Sequence, residues 1–487
     1  MKFFLKVILL AVFFSTIVSC SKESKEYEVP QDLVINDFVW KGLNAYYLHQ
    51  EEIADLADLR FNSDNQLNAY LNTFTDYNAL FSNLLISSDV KSTLIEDYTT
   101  IVDPESRNVF TNGLEFGIIA DPSSDVDVLG YVTHILPNSD AANKIIARGD
   151  YFFAIDGIQL TRSNYEDILL NGSNNFALEM VDFDGTRTTP NLKTVLLEKR
   201  NYTYPTTFLD KIISVNADNI GYLVYNNDFS NEYIVDLNNT FLSFKNQMVN
   251  KLILDLRYNI LGGSSAHNVA ELASMISEQN ADATLIKEEW NAKAQLWFLE
   301  NQPDSLVTKV PKTVGESVNI NSLNITDVYM ILNGDNFTGS SSVELLINSL
   351  KPYINVHIIG NQTSGNNTGA ITLYNSEDYD FPLRNETHTV ALQPKVLSFL
   401  NKDDQTYENG FTPNIPLCEN EDVLNLGIMG ENSDPILNNI LEYISTGVAV
   451  SNTNCNLNDF EYLYNSMDTQ RVTDTGVVIK QNLPNPK

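Results

Sequence analysis

The chain has 487 residues, roughly three domains' worth, and its 43% apolar and 10% aromatic content is enough for ordinary cores. It carries 63 acidic against 30 basic residues, a formal net charge of -33. That balance excludes a phosphate-gripping nucleic-acid surface and polybasic docking on anionic lipid. Three Cys and five His leave little room for a structural zinc module. The 23 Tyr and 24 Phe, spread along the chain, argue against disorder throughout.

Residues 1–19 read as an export signal. Lys2 and Lys6 form a basic start, Val7 to Val18 is nearly all apolar, and Ser15, Thr16 and Ser19 lead to Cys20. The apolar run is shorter than the about 20 residues that a membrane span needs. Ile17-Val18-Ser19-Cys20 resembles a bacterial lipobox, in which the Cys is lipidated and becomes the first residue. A plain signal peptide that contains a Cys is the other reading. Residues 20–31 are a polar tether, and no later stretch is apolar enough to span a membrane. Cys418 and Cys455 remain; in an exported protein they form a disulfide or are two buried thiols.

Residues 32–105 are predicted to be a small helical bundle, helical from Asp32 to about Ile95. Val34, Phe38, Val39, Leu43 and Tyr46-Tyr47 recur at spacings of three and four. Over 110–203 short strands alternate with turns: Phe116 to Ala120, Gly130 to Leu136 and Tyr151 to Ile155. Pro137-Asn-Ser-Asp-Ala-Ala opens a short helix with Ser139 as cap, and Asp156-Gly157 is a hairpin turn. This ordered set resembles a PDZ domain. Gly113-Leu114-Glu115-Phe116-Gly117 then stands where that family has its carboxylate-binding loop, whose N–H groups capture a peptide C-terminus while the peptide adds as a strand. A small β domain without a ligand is the plainer reading.

Over 204–447 strands and helices alternate, which argues for an α/β domain with much parallel pairing. Strands are expected at Ile220 to Tyr225, Lys251 to Leu256, Val328 to Leu332 and Val356 to Gly360; helices at Ala266 to Ile276 and Ser342 to Leu350. Residues 448–487 are an Asn- and Asp-rich appendage. The fold class expected is multidomain α+β.

No His-Glu-x-x-His and no Gly-x-Ser-x-Gly is present. Gly360 to Asn367 has phosphate-loop spacing but lacks its Lys and hydroxyl, so nucleotide binding is rejected there. Asn336-Phe-Thr-Gly-Ser-Ser-Ser-Val-Glu344 follows a strand and precedes a helix. A Ser on such a turn can present its Oγ beside helix N–H groups that favour negative charge. Equally, Ser-x-x-Glu is the capping-box pattern.

The order of segments decides between these. An export signal, helices, a PDZ-like region, Asp255-Leu-Arg-Tyr-Asn259, Ser341-Ser-Val-Glu344 and Gly360-Asn-Gln-Thr-Ser-Gly365 follow one another over about residues 32–445. This resembles the C-terminal processing, or tail-specific, serine peptidases in their bacterial lipoprotein form. Gly410-Phe-Thr-Pro413 and the helix opened by Asp434-Pro435 fit the same family. The resemblance implies an α/β (crotonase-like ββα) peptidase domain, with Ser341 as nucleophile, three residues before Glu344, which orients its neighbours. It implies an oxyanion hole after Asp255-Leu-Arg-Tyr-Asn259, with the N–H of Leu261 or of Gly262 as donor. It implies no metal and no organic cofactor.

The family deprotonates its Ser with a Lys whose pKa is lowered by desolvation. That Lys lies 25 residues after the nucleophile, and here the position is Asn366. The glycines expected after Asn259 are replaced by Ile260-Leu261-Gly262-Gly263. Lys351, His267 and His357 are the other bases to weigh. Two functions follow. One is an exported endopeptidase that binds C-termini or unfolded segments of exported proteins and cuts with Ser341. The other is a degenerate homologue that binds without cutting. Either sits in the cell envelope, on the periplasmic face or the cell surface, held to the membrane only through a lipid at Cys20.

Overall fold

Helix α1 (Val34–Tyr46) turns Phe38, Val39, Leu43 and Tyr46 to one buried face, as its three-and-four spacing requires. Helix α2 (Asp64–Leu71) is capped by the Ser63 side chain, and α3 (Tyr77–Asn83) by Asp76, which accepts from the Ala79 N–H at 2.8 Å. The computed structural model describes residues 29–100, 108–169, 171–259, 264–280, 282–315, 317–332, 340–418, 421–448, 460–467 and 477–478. The readings made at Cys20, Ile260 to Gly263, Asn336 to Gly339 and Cys455 therefore lie outside the described residues.

The N-terminal helices do not close on themselves as a bundle. Their buried residues share one apolar cluster with Leu373, Leu392 and Phe399. Asn291 Nδ2 donates to the Ala45 carbonyl at 2.9 Å, where α1 ends. The predicted helical stretch also stops early, because Thr93–Ile95 is a strand paired antiparallel with Ala391–Gln393. The first segment is thus a layer on the α/β body.

A second unit follows: β1 (Leu114–Ala120), β2 (Val128–Ile135), β3 (Tyr151–Ile155), α4 (Tyr165–Leu169), β4 (Asn175–Phe183) and β5 (Thr188–Glu198). The strands join in that order as an antiparallel sheet around Ile118, Val132, Phe152 and Leu178. Asp156 and Gly157 both take positive φ, 50° and 78°, as a two-residue type I′ turn demands. The helix predicted after Pro137 shrinks to one 3-10 turn at Ala141–Asn143, with the Ser139 Oγ accepting from the Ala142 N–H at 3.2 Å. Lys144 returns to extended backbone there, which lets Ile146 reach the core.

From residue 209 the chain runs β6 (Leu209–Val215), β7 (Asp218–Val224), α5 (Asn231–Asn246), β8 (Lys251–Asp255), α6 (Ala266–Ile276), β9 (Thr284–Trp290), β10 (Asp327–Ile331), α7 (Ser341–Leu350), β11 (Asn355–Gly360), β12 (Thr368–Ala370), β13 (Lys395–Leu400), β14 (Ile415–Pro416) and α8 (Pro435–Thr446). One sheet has the order β6-β7-β8-β10-β11-β14, antiparallel only at β6–β7. Its strands alternate sides. Leu252, Leu254, Val328 and Met330 pack towards α5, α6 and α7, while Ile253, Tyr329 and Ile331 pack towards Ile436, Leu437 and Ile440 of α8. A sheet covered on both faces needs such near-continuous apolar runs.

A second sheet was not foreseen: β9, β13 and β12 pair antiparallel, with Val307–Lys309 on one edge and Val477–Val478 on the other. Near the C-terminus, β15 (Tyr462–Asn465) joins the antiparallel sheet beside β1. Among the described residues no helix is long and apolar enough to cross a membrane.

Glu288 on β9 is buried, its carboxylate accepting from Trp290 Nε1 at 3.2 Å. Burial pushes its carboxyl up to about 7. Between its unfolded value near 4.5 and that value, the folded chain holds a proton the unfolded chain has released, so stability falls as pH rises. Glu288→Gln is expected to match the parent in thermal unfolding at pH 4 and to exceed it at pH 8. Equal melting curves at pH 8 contradict this assignment.

Candidate active site

The candidate nucleophile, Ser341, is the first residue of α7 and is fully buried. Sequence spacing offered Ser341-x-x-Glu344 as a capping box, but the cap is Ser340, whose Oγ accepts from the Val343 N–H at 3.3 Å. That shift of one residue frees Glu344 for another role. Its Oε1 accepts from the Gly365 N–H at 2.7 Å, and its Oε2 accepts from the Asn366 N–H at 2.9 Å and the Ser364 Oγ at 3.1 Å. Burial raises the Glu344 carboxyl above its ordinary value, while the donors at 363–366 pull it back.

The clamp brings the 363–366 loop against the start of α7. Residues one turn apart on a helix are neighbours, so Asn366 is tied to the side chain adjoining Ser341. The loop is held from behind by two glycines. Gly365 has φ 78°, and a Cβ there would lie 2.2 Å from the Glu408 carbonyl oxygen. Gly410 has φ 67°, and its Cβ would lie 2.0 Å from that of Thr363. Thr363 Oγ1 accepts from the Phe411 N–H at 2.7 Å, which explains the place of Gly410-Phe-Thr-Pro413 in the pattern.

Asn366 is buried. Its Oδ1 accepts from Thr368 Oγ1 at 3.1 Å, and its Nδ2 has no hydrogen-bond partner among the described residues. Ser342 Oγ is likewise buried without a partner among them. An amide in this position can donate to an oxygen but cannot take a proton from a hydroxyl. None of the other three bases weighed replaces it. Lys351 sits at the far end of α7, about 15 Å along the helix axis from Ser341, with its Nζ 4.9 Å from the centre of the Phe411 ring. His357 stacks on Tyr329 at 4.5 Å and meets Asp327 at 3.2 Å. His267 keeps 60% of its side chain exposed and pairs with Glu271 at 3.5 Å, and that hydrogen bond raises its pKa, favouring the cation.

Asp255, Arg257 and Asn259 are buried beneath the site. Asn259 Oδ1 accepts from Ser340 Oγ at 3.3 Å, so the segment after β8 holds the α7 cap. Arg257 donates to Asp255 at 2.8 Å, to Asp434 at 2.8 Å and to Glu421 at 3.2 Å. Glu421 also accepts from Arg148 of the antiparallel unit at 2.7 Å and from the Tyr258 hydroxyl. Burial alone would raise the Glu421 carboxyl, but Arg148 and Arg257 outweigh it and hold it below the usual range. His134 stacks on Tyr258 at 4.5 Å; burial, then the Arg148 charge, lowers it to about 3. Sequence reasoning missed Arg148, Glu421 and the 363–366 clamp, because no local pattern links residues this far apart. The oxyanion candidates Leu261 and Gly262 lie outside the described residues. Cys418 is disulfide-bonded, and its partner lies outside them too.

The loop Gly113-Leu114-Glu115-Phe116-Gly117 has several donors engaged. The Gly113 N–H goes to Thr111 Oγ1 at 3.0 Å, that of Leu114 to Asn112 Oδ1 at 2.9 Å, and that of Phe116 to Ser466 Oγ at 2.9 Å. Among the described residues no group of three or more His, Cys, Asp or Glu is placed to hold a metal ion.

Glu421→Ala leaves two buried guanidinium groups without their shared carboxylate. The expected cost is about 3–5 kcal/mol, read as a lower urea midpoint; a loss under about 1 kcal/mol would show the network to be dispensable.

Two family profiles match the chain: "Peptidase S41 N-terminal domain" over residues 34–99 and "Peptidase family S41" over 219–417. No curated protein matches it. Among solved structures, a Bacteroides fragilis NCTC 9343 protein assigned to the S41 proteases shares the fold. It is 19% identical with a TM-score of 0.65, over 87% of this chain and 99% of that one. The photosystem II D1 C-terminal processing protease is 15% identical with a TM-score of 0.44, over 86% of this chain and 99% of that one. With both its N-terminal layer and its α/β body matched, the chain belongs to peptidase family S41.

Proposed function

We propose that the chain is an exported member of the C-terminal processing peptidases that receives extended segments of other exported proteins and retains Ser341 as nucleophile without the base that activates it. Binding is then its main output, and cutting is slow. We read β1 to β5 with α4 as a PDZ-like unit and the α/β body as crotonase-like. The observation that carries the proposal is Asn366: buried, clamped through its backbone by Glu344, and ending in an amide whose Nδ2 has no partner among the described residues. Losing a general base costs about a hundred- to ten-thousand-fold in rate, so a trace of turnover survives at a buried Ser on a helix N-terminus.

The competing reading is a fully working serine endopeptidase. It is favoured by the intact clamp between Glu344 and Ser364, Gly365 and Asn366. A fluorophosphonate probe and an unfolded, C-terminally labelled substrate separate the two. The parent is expected to label and cut hardly above Ser341→Ala, and Asn366→Lys to gain at least a hundredfold. Efficient cutting by the parent, abolished in Ser341→Ala, overturns the unactivated reading.

We place the protein in the cell envelope, held by acyl chains at Cys20. In cells fed radiolabelled fatty acid, the label is expected on the parent chain and absent from Cys20→Ala. Label that persists in Cys20→Ala removes the anchor at that residue.

A further inference from the structure

The sheet of the antiparallel unit would end on β1, and an unpaired edge is a template for another strand. The chain fills that edge itself. Strand β15 runs antiparallel to β1, with Tyr462 opposite Ile119, Tyr464 opposite Ile118 and Asn465 opposite Gly117. The Ala120 N–H donates to the Glu461 carbonyl at 2.9 Å. Tyr464 lies between the strand and α4, with ring centres 6.0 Å from Phe116 and 6.2 Å from Tyr165. Glu461 pairs through both oxygens with Arg162, at 2.8 and 2.5 Å. Ser466 closes the loop end, where its Oγ accepts from the Phe116 N–H and donates to Glu115 Oε2 at 2.6 Å.

We propose that the groove between β1 and α4 is a strand-exchange site: residues 461–466 occupy it as a built-in ligand, and an incoming internal protein segment of the same acidic–aromatic pattern displaces them. The proposal rests on the reading that protein segments bind beside β1, and it names the class of segment. Strand addition supplies sequence-independent backbone bonds, and the flanking pockets choose side chains. Here those pockets are Arg162 for an acidic residue and the Phe116–Tyr165 gap for an aromatic one. The loop end sets the remaining requirement. With the Gly113 and Leu114 donors engaged by Thr111 and Asn112 and the Glu115 carboxyl buried at the loop end, a free chain terminus would bring a second carboxylate against the first. A hydroxyl or amide in mid-chain fits there. The groove therefore prefers segments that continue past it to segments that end in it.

The test uses the full chain carrying Ser341→Ala, so binding is read without cutting and survives any failure of the catalytic reading. The probe is a fluorescent peptide of residues 460–467, blocked at both ends, followed by polarisation. Glu461→Lys with Tyr464→Asp, made in the protein only, is expected to raise affinity for the probe at least tenfold. Glu461→Ala removes one exposed ion pair, keeps the fold, and is expected to gain about threefold. Bridging Arg162→Cys to Glu461→Cys with a bismaleimide is expected to abolish binding. A probe ending in a free carboxylate at Ser466 is expected to bind at least fivefold more weakly than its amide. No gain in either releasing variant, or unchanged binding in the bridged protein, overturns strand exchange. Tighter binding of the free carboxylate restores terminus capture and overturns the internal-segment preference.

Discussion

A guanidinium with no access to water is tolerable only when carboxylates meet its donors, and Arg257 is the group on which this architecture turns. Its three partners come from different places: Asp255 ends β8, Asp434 starts α8, and Glu421 lies on the segment between β14 and α8. Asp434 does double duty, accepting from the Ile436 N–H at 3.0 Å as the α8 cap. Glu421 then passes the network to Arg148 in the antiparallel unit. Two residues beyond Arg257, Asn259 receives the hydroxyl of Ser340, the cap of α7. One buried cation thus helps set both the helix that begins at Ser341 and the docking of the antiparallel unit. Such a network adds little net stability over apolar packing; what it supplies is direction, because each hydrogen bond fixes an orientation.

The α/β body was legible because its signals are local. Helix α6 begins and ends where periodicity placed it, with Ser265 as cap, and β8, β10 and β11 are apolar runs of the length that a buried parallel strand needs. The sheet of β9, β12 and β13 was not legible. Strand β9 carries Lys287, Glu288 and Glu289 in its middle, and β12 has three residues. Neither holds a pattern that composition or period can raise above loop. The N-terminal helices were read as helices, but their partner was not, since amphipathicity shows that a face is buried and not against what.

At the candidate site, residue order along the chain singled out Ser341, Glu344 and Asn366 as candidates, and the structure ties Glu344 to the Asn366 backbone, while spacing misread what Glu344 does. A capping box needs its Glu at the third helical position. With Ser340 as cap, Glu344 falls one place later and turns to the 363–366 loop instead. Its task is positional. It holds the backbone of residue 366 against the start of α7, whatever side chain stands there. The clamp acts on the backbone N–H groups of Gly365 and Asn366, so it is separable from whatever side chain residue 366 carries.

The C-terminal appendage looked in sequence like a loose end, yet it closes two edges. Strand β15 pairs with β1, and Val477–Val478 lies parallel to Gly369–Ala370 of β12, which begins two residues after Asn366. An open edge invites association with other chains, so covering both protects the protein. Met467, just beyond β15, packs into the cluster under α8, so the appendage is anchored in the α/β body as well as in the antiparallel unit. A strand held only by its own edge would leave easily and would not report on the site. If strand exchange holds, a strand anchored at both bodies leaves only when the incoming segment matches its contacts in number and kind, and the proposed groove is selective for that reason.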